Sequence, residues 1–307
     1  MKFRTKKNKK KLFGSPHGKR KIQHDIKVPA LAESANSSAF VNSGTEAAQI
    51  SKKAGKKRRS KRKALTIALM GIAAIVFSFS CYKLIGIYSA YSKGSEEYAV
   101  INNIAIIKPE TQQEIESPYL RIDSAALREI NEDYVGWIDI PDTNISYPMV
   151  KSFDNAYYLR RSFEGQSYIG GVIFLDYLCS SDFSSRNTVI YGHHMNDGTM
   201  FADLAKFVKQ SYFEDHREIH IYCDDSVRVY KIITAYQTTI ADACYQIAFA
   251  DDEDSGRWID TILGQSYFDA DIALSSSDKI ITLSTCTNGN KTDRYVIQAV
   301  LSDVIPQ

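Results

Sequence analysis

A single long hydrophobic segment stands apart from the rest of the chain. The 19 residues from Ala64 to Tyr82 carry no charge, and apolar side chains continue through Tyr88. About 20 such residues are needed for a helix to cross the hydrocarbon core of a bilayer. A cleaved signal peptide is the alternative, but its apolar core is shorter and lies near the start of a chain, whereas this run follows 63 residues. The pattern predicts an uncleaved transmembrane anchor over residues 64–88.

The pattern changes after the anchor. Residues 92–120 show little periodicity, which is typical of a weakly ordered stalk, and we assign residues 89–122 to it. The segment Asp123–Ile138 opens with an aspartate that is an N-cap candidate, and its apolar residues recur at helical spacing. We therefore expect a short helix at the start of a folded domain that spans residues 123–307.

Short β-rich runs dominate after Gly136, and turn signals separate them. They are WIDI, ISYPMV, YIGGVIFLD, NTVIYG, EIHIYC, RVYKIITAYQTTI, KIITLSTC and RYVIQAVLSDV. Two helical stretches interrupt them, Thr199–Phe213 and Asp252–Phe268, the second inside a long connection between strands. Many short strands with few long helices predict a mainly β fold, either a sandwich or a barrel decorated by helices.

Charge is distributed unevenly along the chain. The net charge is only +2, but residues 1–63 carry 20 Lys and Arg against 3 Asp and Glu. Large apolar residues are sparse there, so the segment cannot bury enough surface to offset the entropy of ordering, and we predict a disordered tail. Because the cluster Lys52–Lys63 directly precedes the anchor, the positive-inside rule predicts a cytoplasmic N-terminus and an extracellular folded domain.

Contact of these basic clusters with nucleic acid or anionic lipid is a second interpretation of the tail. Residues 64–307 carry 18 Lys and Arg against 33 Asp and Glu. That acidic balance excludes a uniformly basic nucleic-acid binder for the larger part of the chain, and we expect no nucleic-acid partner.

The five cysteines do not form a disulfide framework that the sequence reveals. They are Cys81, Cys179, Cys223, Cys244 and Cys286. An odd number at low density argues against a disulfide-stabilised secreted domain, and the lack of a CxxC pair argues against a cysteine-rich zinc site. At least one thiol is therefore free or paired outside the chain. Cys81 lies in the predicted anchor, and we expect Cys179, Cys223 and Cys244 to be small buried residues.

One candidate for chemistry is the pair Cys286 and Arg294. The cysteine ends the β-rich run that begins at Lys279, and the arginine opens the next run after a seven-residue loop. Antiparallel neighbours joined in this way place the end of one strand beside the start of the next, so both side chains are expected on one rim. A guanidinium there can stabilise a thiolate or a developing oxyanion. A small buried cysteine and a surface arginine without chemistry are the alternative.

A second candidate is the run Asn187–Phe201. A strand ends at Tyr191, Gly192 permits a sharp turn, and two histidines follow. Histidine titrates nearest to physiological pH, so His193 or His194 can exchange protons with a thiol and an amine. Two turn histidines without chemistry are the alternative. Adjacent histidines on extended backbone point apart, and no Asp, Glu or Cys lies at ligand spacing, so we expect no metal site.

Together these elements resemble the signature of the sortases. TLSTC (Thr282–Cys286) followed by Arg294 is similar to the TLxTC…R motif of that family, and YGHHMNDGTMF (Tyr191–Phe201) resembles the histidine segment of its class B. The chain order His, Cys, Arg agrees, as does a helix-bearing insertion, Asp252–Phe268, before the cysteine strand. The resemblance spans roughly residues 123–306.

The resemblance implies an eight-stranded sortase-type β-barrel with an N-terminal helix and a helix-bearing insertion between the last strands. It implies a cysteine transpeptidase of Gram-positive bacteria that needs no cofactor. By motif position, Cys286 is the nucleophile, His193 the general acid and base, and Arg294 the cation that orients the substrate and stabilises the oxyanion. His194 is the neighbour that the family pattern passes over. The residues beside these positions, candidates to line the substrate groove, are Tyr191, Ser284 and Thr285.

The expected partners follow from the same resemblance. A C-terminal sorting motif of a secreted protein is cleaved through a thioester, and the acyl group passes to an amine of a lipid-linked peptidoglycan precursor. Transfer to a lysine of another protein, as in pilus building, and hydrolysis by a plain cysteine protease stay open as alternatives. An L,D-transpeptidase is disfavoured because no Ser-His-Gly-Cys run is present. An inactive adhesin on the same barrel is disfavoured because all three catalytic residue types are present.

Two features depart from the class B pattern. The loop between Cys286 and Arg294 is short, which puts in doubt how the leaving segment or the acceptor reaches the site. The 63-residue basic tail is longer than the short cytoplasmic start usual in the family, which points to an added cytoplasmic contact.

Overall fold

The computed structural model describes residues 44–108, 117–287 and 292–307. Most of the tail predicted to be disordered, residues 1–43, lies outside these ranges, as do stalk residues 109–116 and residues 288–291 of the short loop after Cys286. By its internal contacts the chain divides into two units, Met1–Ile72 and Ala73–Gln307. All the strands belong to the second unit.

The first element is one long helix, α1, Gly44–Ala105. Its part Arg59–Ala105 contains a stretch long and apolar enough to cross a membrane, and large apolar side chains are exposed from Leu65 to Tyr88. The helix also includes the second basic cluster, within the range predicted to be disordered. Lys, Arg and Ala are good helix formers, and extending an existing helix is more favourable than starting a new one.

The last turns of α1 pack into the folded core, where the sequence indicated only a weakly ordered stalk. Tyr98, Ile101 and Ala105 are buried among core side chains. Their spacing of three and four residues is an amphipathic signal, but Val100 and Ile104 on other faces of the helix are exposed and obscure it in the sequence.

Within the described residues, eight strands close into a barrel in the order β1-β2-β3-β4-β7-β8-β6-β5. The strands are β1 Tyr134–Asp139, β2 Ser146–Lys151, β3 Ile173–Leu175, β4 Asn187–Tyr191, β5 Glu218–Tyr222, β6 Ser226–Thr239, β7 Ile280–Cys286 and β8 Asp293–Pro306. The pairs β2–β3 and β4–β7 are parallel, and the other neighbours are antiparallel. Each of the eight β-rich runs overlaps one strand, so the predicted mainly β barrel is confirmed.

Short helices decorate the barrel much as the sequence indicated. Helix α2, Ser124–Ile130, begins after Asp123, whose carboxylate accepts from the Ala126 N–H at 2.9 Å, so the predicted N-cap is confirmed. The stretch expected as one helix from Thr199 is two pieces, a 3-10 helix Ala202–Val208 and helix α3, Gln210–Asp215. They separate because Lys209 between them has extended backbone. Helix α4, Asp252–Leu263, lies in the predicted insertion between β6 and β7.

A buried polar network ties this insertion to the strands that carry the candidate residues. Asn187 at the start of β4 accepts from the Thr282 hydroxyl of β7 at 2.7 Å. Its amide nitrogen donates to the carbonyl oxygens of Cys244 and Gln246, at 2.9 and 2.8 Å. Because buried polar groups are costly without partners, this network fixes the connection after β6 against the first residues of β4 and β7.

Candidate active site

Cys286 and Arg294 are brought together by the register of β7 and β8. The two residues are cross-strand partners, at the last paired position of β7 and near the start of β8. Directly opposed residues of an antiparallel pair have Cβ atoms about 4.5–5.5 Å apart. The shared rim predicted for the thiol and the guanidinium is therefore confirmed.

His193 reaches the same rim through the parallel pairing of β4 with β7. Tyr191, the last residue of β4, lies opposite Ser284, and the Gly192 N–H donates to the Ser284 carbonyl oxygen at 3.2 Å. A Cβ on Gly192 would lie 2.5 Å from Ile173 Cδ1 and 2.7 Å from the Phe201 ring, so the turn after β4 admits a larger residue only if the packing around it shifts. His193 follows directly after that turn.

The three candidate residues His193, Cys286 and Arg294 line one cavity of about 220 Å³. The three residues proposed for the substrate groove, Tyr191, Ser284 and Thr285, line the same cavity. The catalytic and groove residues expected from the resemblance therefore lie around one cavity.

The environment of His193 favours the neutral imidazole with a defined tautomer. Its Nε2 atom lies 2.8 Å from the carbonyl oxygen of Leu159. A carbonyl can only accept, so the proton sits on Nε2 and Nδ1 is left for proton exchange. Burial lowers the pKa of His193 from its ordinary 6.5; the Leu159 carbonyl acts in the opposite direction, and the positive charge of Arg160 lowers the pKa further.

His194 lies apart from the cavity that its neighbour lines. Its backbone forms an isolated bridge with Met200, and its ring centroid lies 6.1 Å from that of Tyr295. Among the described residues that line the cavity, His193 is present and His194 is not. This geometry favours the first histidine for chemistry at the thiol.

A buried carboxylate behind the cavity was not expected from the sequence. Asp176 accepts from the Asn155 amide at 2.7 Å and from the Tyr191 hydroxyl at 3.0 Å, and it is only 5% exposed. Asn155 and Tyr191 both line the cavity. No pattern in the sequence marks Asp176, because its partners come from two other segments of the chain.

A second residue that the sequence did not single out, Tyr245, contacts two residues of the cavity lining. Tyr245 follows β6, and its hydroxyl lies 2.8 Å from the Ser284 hydroxyl. Its ring stacks on that of Tyr191, with centroids 6.3 Å apart. Tyr245 therefore holds Ser284 by a hydrogen bond and Tyr191 by ring stacking, and Asp176 holds Tyr191 by a second hydrogen bond.

The other cysteines differ from Cys286 in their surroundings. Cys179 and Cys244 are buried, whereas Cys223 is only partly buried, and all five cysteines are free thiols. Burial raises the pKa of Cys179 and of Cys223 to about 11, and it also raises that of Cys244. A thiol whose pKa is raised in this way is a poor nucleophile at neutral pH.

Comparison with known proteins decides the family. The family model described as Sortase domain matches residues 138–302, more than half of the chain, and this stretch includes His193, Cys286 and Arg294. The chain belongs to the sortase family. The resemblance seen in its motifs is thereby confirmed, and the protein is a cysteine transpeptidase by family.

Two relatives that the chain resembles over most of its length are sortase B proteins. Sortase B of Listeria monocytogenes is 32% identical over 241 residues, which cover 78% of this chain and 96% of that protein. Sortase B of Staphylococcus aureus is 30% identical over 244 residues, which cover 78% of this chain and 97% of that protein. A structure of the Staphylococcus aureus sortase B–substrate complex superposes with a TM-score of 0.56 at 28% identity, covering 70% of this chain and 92% of that one.

Proposed function

We propose that Cys286, His193 and Arg294 are the catalytic residues of this sortase. The observation that carries the proposal is that all three line one cavity, in which Cys286 and Arg294 form a cross-strand pair. We further propose that Tyr191, Ser284 and Thr285, on the walls of that cavity, contact the acyl part of the substrate. The structure of a Staphylococcus aureus sortase B–substrate complex supports a substrate site in this family, and we propose that the ligand of this groove is a peptide.

In the first half-reaction, His193 takes the proton of the Cys286 thiol, and the thiolate attacks a peptide carbonyl within a sorting motif, of the Thr–Gly type or a relative. Arg294 and a backbone N–H stabilise the tetrahedral oxyanion. His193 then gives its proton to the departing amine as the C–N bond breaks. The product is a thioester between the acyl group and the cysteine.

In the second half-reaction, an amine attacks the thioester carbonyl and His193 accepts the proton that this amine loses. The sulfur leaves, and its thiolate is protonated again by His193. Because the overall reaction exchanges one amide for another and the thioester conserves the acyl energy between them, the transfer needs no nucleotide. The three proposed residues supply the proton transfer and the charge stabilisation, so the steps require no metal. The acceptor we propose is an amine of a lipid-linked peptidoglycan precursor; a lysine of another protein is the alternative.

We propose that the chain is a single-pass protein of the cell membrane. The apolar stretch of α1 supports an anchor over residues 64–88, and the preceding basic cluster supports a cytoplasmic N-terminus. The catalytic domain, residues 123–307, then lies outside, where secreted substrates and lipid-linked acceptors both pass. The domain boundaries of tail, anchor and stalk stay predictions.

The test is a transfer assay with the full chain in detergent. Peptides with candidate sorting motifs are offered with and without an amine acceptor, and the products are identified by mass spectrometry. We expect a new amide that depends on the acceptor and is absent with Cys286→Ala of equal thermal stability. Release of a free acid alone, at a rate that the amine does not change, would instead identify a hydrolytic protease.

A further inference from the structure

Tyr98, in the last turns of α1, contacts the connection between β2 and β3, which supports His193. Tyr98 is buried, and its hydroxyl donates to the carbonyl oxygen of Gly171 at 3.0 Å. Burial raises the pKa of Tyr98 well above its ordinary value, so the phenol keeps its proton and remains a donor. The bond joins two segments 73 positions apart in the chain.

Gly171 is part of a narrow slot for the imidazole of His193. Its φ of +60° lies in the left-handed region that favours glycine. A Cβ at this position would lie 3.2 Å from His193 Cδ2 and 2.7 Å from the Tyr158 carbonyl oxygen. The Leu159 carbonyl oxygen lies 2.8 Å from Nε2 of the same ring. The imidazole is therefore held by two backbone segments of the connection between β2 and β3, one around Leu159 and one around Gly171.

We propose that Tyr98 is a positioning residue for His193, which acts by fixing Gly171 and with it the slot that orients the imidazole. Its consequence for turnover rests on the proposed catalytic role of His193. The helix that contains the predicted anchor thereby supplies part of the support of the active site.

A second path of contacts leads from the same tyrosine to the same histidine. The ring of Tyr98 packs edge-on against that of Tyr147, with centroids 5.3 Å apart. The Tyr147 hydroxyl accepts from the Met200 N–H at 3.0 Å, and the next N–H, of Phe201, donates to the His193 carbonyl oxygen at 2.9 Å. Tyr98 is therefore linked both to the ring of His193 and to its backbone.

Close packing at Gly94 fixes α1 at the position from which Tyr98 reaches Gly171. A Cβ on Gly94 would lie 2.0 Å from the ring of Tyr168, so the helix backbone lies directly against that ring. Tyr168 precedes Gly171 by three residues, and the Gly171 N–H donates to its carbonyl oxygen at 3.4 Å. The same loop is thus held at two points one helical turn apart.

The test compares Tyr98→Phe with Tyr222→Phe in the full chain. Tyr222 is also a buried tyrosine whose hydroxyl bonds a backbone group, the Leu120 N–H at 3.1 Å, but it lies on β5, which adjoins neither β4, β7 nor β8. Peptide cleavage assays measure kcat and KM, and a pH series of the same assay gives the acidic limb of the kcat/KM profile. ¹⁵N-histidine NMR measures the titration of the His193 imidazole, whose signals are assigned by comparison with His193→Gln.

For Tyr98→Phe we expect kcat to fall about fivefold, which corresponds to the net free energy of one hydrogen bond, and we expect KM to change little. Because burial is the main cause of the lowered pKa of His193, a looser slot that admits water moves the titration toward 6.5. Tyr222→Phe is expected to lower thermal stability without moving the titration.

An unchanged His193 titration in Tyr98→Phe, or equal changes in both variants, overturns the positioning role. A moved titration with unchanged kcat supports the positioning of the ring and instead contradicts the proposed catalytic role of His193. The two proposals therefore fail in different measurements.

Discussion

Cys286 lies opposite Arg294 across the last paired position of β7, so that the thiol and the guanidinium share one wall of the cavity. Under the proposed mechanism, this places a positive charge where the oxyanion forms. Preorganised charge of this kind is usually the largest single contribution to acyl-transfer catalysis.

Arg294→Ala is therefore expected to reduce kcat by about a hundredfold or more, the range typical for loss of an oxyanion-stabilising group. Arg294→Lys keeps the charge but not the planar donor geometry, and should recover only part of the activity. The measurement is steady-state peptide cleavage alongside thermal unfolding. Arg257→Ala, which removes an exposed arginine of α4, is the matched control. Near-normal kcat in Arg294→Ala would contradict the assigned role.

Arg160→Ala is expected to raise the pKa of His193. The nearby guanidinium disfavours the imidazolium, so its removal moves the acidic limb of the pH profile of kcat/KM to higher pH. Arg161→Ala is the control, because that guanidinium lies over the ring of Tyr157, 4.6 Å from its centroid. An unmoved limb in Arg160→Ala, or the same shift in both variants, would show that this charge does not act on His193.

Stability should also depend on the protonation of His193. Its pKa in the folded chain lies below the ordinary 6.5, so the unfolded chain binds the proton first as the pH falls. The free energy of unfolding should therefore decrease as the pH drops through about 6.5, and His193→Gln should remove part of this decrease. Urea unfolding of the unmodified chain and of His193→Gln at several pH values measures this decrease. An identical pH dependence of the free energy of unfolding in the two proteins would exclude the effect.

Asp176→Asn should weaken the wall of the cavity. Asn155 and Tyr191 both donate to Oδ2 of the carboxylate and the Leu178 N–H donates to Oδ1, so an amide in its place opposes its N–H₂ to at least one of these donors. A buried donor left without a partner costs about 1–3 kcal/mol, which denaturant titration can measure. We also expect a higher KM for peptide. Asp303→Asn, at an exposed position of β8, is the control and should change neither quantity.

Gly192→Ala should displace the histidine segment. The new methyl group would lie 2.5 Å from Ile173 Cδ1 and 2.7 Å from the ring of Phe201, so the turn that presents His193 must move. We expect a loss of kcat of at least tenfold, since misplacement of about 1 Å can cost a hundredfold. Gly256→Ala in α4 meets no atom closer than 3.8 Å and should be neutral or slightly stabilising. Equal behaviour of the two alanine variants would refute the packing argument.

The strands and one half of the site could be predicted from local sequence. Alternation and turn residues located all eight strands, since strand formation follows short-range patterns. The pairing of Cys286 with Arg294 was also predictable, because a short loop between antiparallel strands leaves little choice of register. The choice of His193 over His194 came from the family pattern and not from spacing.

The rest depended on contacts between distant segments. The parallel pairing of β4 with β7, which brings Tyr191 beside Ser284, has no local signal because parallel neighbours need a long crossover. Asp176 and Tyr245 contribute to the cavity only through partners on other strands.

The sequence by itself determined the strands, the apolar stretch of α1 and the candidates for the reactive side chains, because periodicity and residue chemistry are local properties. Only the tertiary structure decided which of these side chains share a cavity, and that Tyr98 of α1 fixes Gly171 beside His193. The physical reason is that hydrogen bonding and burial between remote segments arise when the barrel closes, and no short stretch of residues encodes them alone.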